Sequence, residues 1–175
     1  MSNGFEAAEA QRNWLERLIE KIPGFRGFQD RELRRDVDKL QREHLAAEVG
    51  RVKGKLRETA RDYTDAGRIA ILDRFERLDR RFDGLSQSIR FTDYGATGLF
   101  DAVKIGEAEL ARIYEFDVSL LADVAELEAG VDRVPPPGGG DAEGALDSLL
   151  AALRAVEAKW GRREEVISSV VRSAG

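Results

Sequence analysis

The sequence predicts an all-α fold: an antiparallel four-helix bundle with a long helical hairpin and an extra N-terminal amphipathic helix. Three observations carry this. Ile71, Phe75, Leu78, Phe82, Leu85 and Ile89 follow one another at spacings of 4, 3, 4, 3 and 4, and Leu110, Ile113, Asp117, Leu120, Val124, Leu127 and Val131 repeat the pattern. Such spacing places side chains on one stripe of a helix that packs on a neighbour. Hydrophobic residues make up 42% and charged residues 35% of the 175, the balance of a helical protein with charged outward faces. Finally, Gly and Pro fall between the periodic stretches, at Pro23-Gly24, Gly67 and Pro135 to Gly140, where helices are expected to stop.

The organisation read from these signals is residues 1–29 as an amphipathic helix and Pro-Gly turn, 30–133 as hairpin, connector and a further helix, 134–140 as a linker, and 141–175 as a C-terminal helix completing the bundle. In the first segment Phe5, Trp14, Leu15, Leu18, Ile19 and Ile22 gather on one side, so Trp14, Leu18 and Ile22 are candidate binding residues. Packing on the bundle or on a partner is the favoured use. Contact with a membrane surface is the alternative, weakened because Glu6, Glu9, Glu16 and Glu20 offset Arg12, Arg17 and Lys21, whereas interfacial helices are usually basic.

Next comes the hairpin, Asp30 to Phe91, turning at Asp65-Ala66-Gly67. Its first half has an apolar stripe through Leu33, Val37, Leu40 and His44, which shifts to Leu45, Val49, Val52 and Leu56 and ends near Tyr63. Gly50 and Gly54 are expected to admit a bulky neighbour or bend the helix, because glycine costs about 1 kcal/mol against alanine in a helix. The lone His44 reads as a boundary residue, since metal sites need several convergent donors.

Thr92 to Gly106 is a connector whose Tyr94, Leu99 and Phe100 lie close to Gly95 and Gly98. It is either a plug at one end of the bundle or a recognition loop. It lacks the Gly-Lys-Ser or Gly-Lys-Thr of a phosphate loop. In the helix after it, Glu107 to Val131, Asp117 occupies a seam position, where an unpaired carboxylate would be costly. An ion pair or hydrogen bond with an Arg or Tyr of the hairpin is expected; Asp101, Glu107 and Glu109 could instead join Asp117 in a cation or ligand site. A ferritin-like di-metal centre would need Glu-x-x-His on two helices, and the chain has one His. After the Pro-Gly linker, Asp141 is placed to cap the last helix, about Ala142 to Arg172, with Leu146, Leu149, Leu150, Leu153, Val156, Trp160, Ile167, Val170 and Val171 on its apolar side.

The net charge of −5 is unevenly spread: residues 30–90 carry +3 and residues 91–140 carry −7. Opposite signs alternate along the hairpin, as in Asp79-Arg80-Arg81-Phe82-Asp83, which fits a solvated face with i,i+4 pairs better than a nucleic-acid footprint. No apolar run reaches 18 residues, the start lacks a signal-peptide pattern, and there is no Cys; a cytoplasmic location is the expectation.

Ile22-Pro23-Gly24-Phe25-Arg26-Gly27-Phe28, Glu32-Leu33-Arg34-Arg35, and Tyr94-Gly95 through Leu99-Phe100-Asp101-Ala102-Val103-Lys104 resemble an uncharacterised family of bacterial all-helical proteins, over roughly residues 20–130. The resemblance implies an association with band-7 (SPFH) membrane scaffolds and no chemistry. A short amphipathic helix before a charged hairpin also resembles phage-shock and ESCRT-III-type membrane remodellers, from which the chain departs by its shorter hairpin and its non-basic first helix.

The expected function is therefore non-enzymatic: a cytoplasmic scaffold or adaptor that binds another protein or itself. No cofactor, catalytic residue or metal ligand is assigned. Tyr94, Leu99, Phe100, Asp101 and Asp117 are the remaining candidate binding residues. Peripheral membrane association through residues 5–22 and a small-ligand or cation site around Asp117 and the 92–106 connector are the alternatives.

Overall fold

The computed structural model describes residues 31–92 and 107–173, without the side chains of 31–37, 107–111, 164 and 170–173. The described residues form helices and no strands: α1 (Arg31–Asp65), a 3-10 turn (Ile69–Ile71), α2 (Leu72–Phe91), α3 (Glu107–Asp132), α4 (Ala142–Gly161) and α5 (Arg163–Ser173). The all-α class is as the sequence predicts. The single C-terminal helix is not, because it breaks between Gly161 and Arg163. The N-terminal helix, including Trp14, Leu18 and Ile22, and the connector residues Tyr94, Leu99, Phe100 and Asp101 lie outside the described residues.

The chain divides into two compact units: Met1–His44, Asp93–Ser119 and Arg162–Gly175 form one, and Leu45–Thr92 with Leu120–Gly161 the other. In the second unit the hairpin turn forms where expected. Gly67 adopts φ of 70°, the left-handed conformation that costs glycine no Cβ clash. Its N–H donates to Thr64 O at 2.9 Å, while Arg68 N–H donates to Tyr63 O at 2.9 Å. These two bonds define a Schellman cap, which satisfies the last carbonyls of α1.

Side-chain pairs then fix how the helical segments of this unit run. Arg57 pairs with Asp79 and Lys53 with Asp83, so α1 and α2 are antiparallel. Arg51 and Lys55 of α1 meet Glu128 and Asp132 of α3 in the same order, which makes those two parallel. Likewise Arg74 meets Glu143 and Asp147, and Arg81 meets Glu157, aligning α2 with α4. Lys159 of α4 bonds Asp123 of α3, and Leu149 reaches Gly130, so α3 and α4 are antiparallel. The alternating directions are those of an up-down-up-down bundle.

Its interior is apolar. Phe75, Leu78, Phe82, Leu85 and Ile89 of α2, Leu120, Val124, Leu127 and Val131 of α3, and Leu146, Leu149, Leu150, Leu153, Val156 and Trp160 of α4 are all buried. Each such side chain is stabilised by about 1.5–3 kcal/mol on leaving water. At Gly130 a Cβ would lie 2.9 Å from Leu149 Cδ1, so the missing side chain lets α3 and α4 approach closely. At Gly50 and Gly54 the expected bulky neighbour is not there: a Cβ on either would meet nothing within 4 Å, and α1 is one continuous helix through both. They therefore do not receive a bulky neighbour, and they do not interrupt the helix.

The Pro-Gly linker is an ordered turn packed on the hairpin end. Tyr63 Oη donates to Pro135 O at 2.5 Å, and the Tyr63 ring lies 5.3 Å from that of Phe75. Gly139 N–H donates to Pro136 O at 2.9 Å across Pro137 and Gly138, whose φ is 88°. Proline followed by a left-handed glycine is the pattern of a type II turn. Asp141 caps α4 as expected, accepting the Gly144 N–H at 2.9 Å.

In the first unit the predicted seam of α1 is displaced. Leu40 is 38% exposed and His44 half-buried; Asp38 and Gln41 point inward instead, at 7% and 4% exposure. They continue the inward register of Leu45, Val49, Val52 and Leu56 back towards the N-terminus. Ile113 of α3 packs with Ile167 and Val166 of α5.

Candidate functional site

Asp117, placed on the α3 seam by its register, is buried among charges in the first unit. Both of its oxygens accept from Arg163 of α5: Nε at 2.6 Å and Nη2 at 2.7 Å. The same guanidinium donates from Nη2 to Asp38 Oδ1 at 2.9 Å, and Arg42 Nε donates to Asp38 Oδ2 at 3.0 Å. Two carboxylates on two helices thus close on one arginine from a third. The expected partner, an Arg or Tyr of the hairpin, is replaced by Arg163. A guanidinium presents a planar fork that matches a carboxylate with two parallel bonds, which a tyrosine cannot do.

Burial pushes the Asp117 carboxyl well above its ordinary range, and the charge of Asp38 pushes the same way, while Arg42 opposes it. Burial lowers the Arg163 pKa and Asp38 counters this; arginine nevertheless stays charged at any physiological pH. In this arrangement Asp117 serves as an ion-pair acceptor, with both oxygens taken up by the Arg163 guanidinium. Among the described residues no group of three or more His, Cys, Asp or Glu side chains is assembled to hold a metal ion.

Asp38, Gln41 and Arg163 were absent from the residues singled out by sequence. A signal for them existed. Asp38 and Gln41 lie 7 and 4 residues before Leu45, and Arg163 lies between Trp160 and Ile167 at spacings of 3 and 4. Register alone would have placed all three inward, against their polarity.

A second place is a groove in the second unit, between α1 and α2. Leu56, Ala60, Leu72 and Phe75 form its apolar part, and Arg57, Thr64, Glu76, Asp79 and Arg80 its polar part, around a volume of about 290 Å³. Arg57 Nη2 donates to Asp79 Oδ2 at 2.9 Å, and Arg80 Nη1 lies 3.5 Å from Glu76 Oε2. The hydrogen bond from Arg57 holds the Asp79 carboxyl below its usual range, although burial works against it. Leu56 and Phe75 are 1% and 3% exposed, so the accessible apolar part of the groove is Ala60 and Leu72.

A third hollow, about 460 Å³, lies at the hairpin end, lined by Tyr63, Arg68, Ile71, the glycines 138–140, Asp141 and Glu143. Its cation and its two acidic groups give no single preference of charge. Elsewhere on the second unit Glu128 accepts from Arg51 and from Lys55, and these bonds hold its pKa at about 2.

No protein-family model, curated protein or solved structure matches the chain. No described helix is long and apolar enough to cross a membrane.

Proposed function

We propose that the protein is a non-enzymatic scaffold or adaptor that associates through helical surfaces, with the α1–α2 groove as the receiving surface and residues 5–22 of a second copy as its occupant. The observation that supports this reading is the groove itself: half-buried Ala60 and Leu72 lie beside the core residues Leu56 and Phe75 and are flanked by Arg57, Asp79, Glu76 and Arg80. The segment 5–22 has matching character, an apolar stripe through Trp14, Leu18 and Ile22 with acidic and basic residues beside it. Aromatic and aliphatic anchors of this kind carry most of the binding energy in helix-in-groove recognition, and mixed rim charges set orientation.

Light scattering on three forms tests the reading: the full chain, a version lacking residues 1–22, and Ala60→Arg. Ala60 is half-buried in the groove, so a long cation there obstructs the floor without replacing a fully buried side chain. The full chain is expected to be an oligomer that both changes convert to a folded monomer. A full chain that is already monomeric, or an oligomer that Ala60→Arg leaves intact, overturns the assignment of the groove.

A further inference from the structure

We draw no further inference here: the strongest candidate, the buried Gln41 amide one turn after Asp38 on the inward side of α1, carries nothing, because it belongs with the charged cluster already described and nothing among the described residues shows what would meet it.

Discussion

Among the described residues, the second unit buries a continuous run of Leu, Val, Ile and Phe with Trp160, whereas the first buries Asp38, Gln41, Asp117 and Arg163 beside Ile113, Tyr114 and Ile167. Both interiors use the same 3-4 helical spacing. They differ in what occupies it. An apolar seam tolerates small rotations because dispersion and water exclusion have little directionality. A guanidinium shared by two carboxylates tolerates almost none, since each bond depends on angle and distance. The second unit should thus supply stability, and the first should select one arrangement of its helices.

The largest expected effect that tests this contrast is Phe82→Ala. Phe82 is fully buried in the second unit, and its truncation is expected to cost about 3–5 kcal/mol, seen as a lower midpoint of urea unfolding followed by circular dichroism. Asp117→Asn should be smaller and local. It weakens a charge-assisted bond and is expected to cost about 2 kcal/mol, read as faster amide exchange in α3 before Ser119 and in α5 without movement of the main urea midpoint. An equal shift of the main midpoint by both substitutions would abolish the contrast.

Gly130→Ala sharpens the picture of the second unit. With Leu149 Cδ1 at 2.9 Å from the new methyl, the helices must separate or the leucine must turn, at about 1–2 kcal/mol. Gly50→Ala and Gly54→Ala should act in the opposite direction. Each fills open space on α1 and reduces the freedom of the unfolded chain, raising stability by about 0.5–1 kcal/mol, measured as an increased urea midpoint.

The smallest expected effect concerns acid. Glu128 has its pKa lowered from 4.5 to about 2 by Arg51 and Lys55, so its contribution is complete above pH 4.5 and is lost as pH falls through about 2. Asp117 has the opposite sign. Its raised pKa means that the folded protein holds this proton more tightly than the unfolded chain, so its contribution is most favourable in acid and declines as pH rises through the folded value. Between pH 4.5 and 2, the protection of amides near Glu128, taken relative to their intrinsic exchange at each pH, should fall, and substituting Glu128→Gln should remove that fall.

Much of the second unit could be read from the sequence because burial and polarity agree there. The inward residues of α2, from Phe75 to Ile89, are those that the spacing selected, and the Gly67 turn and the Asp141 cap occur where their residue types require. The first unit resisted the same method. Reading inward positions from apolarity favoured Leu40 over Gln41, yet Leu40 is 38% exposed and Gln41 4%. Asp38 is satisfied by Arg163, 125 residues away, and no local pattern announces a bond over that separation. Asp117 was found because its helix is long enough to fix the register despite a polar member. The break at Gly161 was missed because the apolar spacing passes through it undisturbed, from Trp160 to Arg163 to Ile167.

The ladder linking α1 to α3 also bears on how quickly the second unit can assemble. Arg51 and Lys55 lie 77 residues from Glu128 and Asp132 respectively, and Arg81 lies 76 from Glu157. By contrast, Arg57 and Asp79 are 22 apart, and Lys159 and Asp123 are 36 apart. Shorter loops close at lower entropic cost, so the α1–α2 and α3–α4 hairpins should each form early and dock on one another late. Neutralising Lys55 is then expected to accelerate unfolding while leaving the refolding rate nearly unchanged, the kinetic mark of a contact made after the barrier.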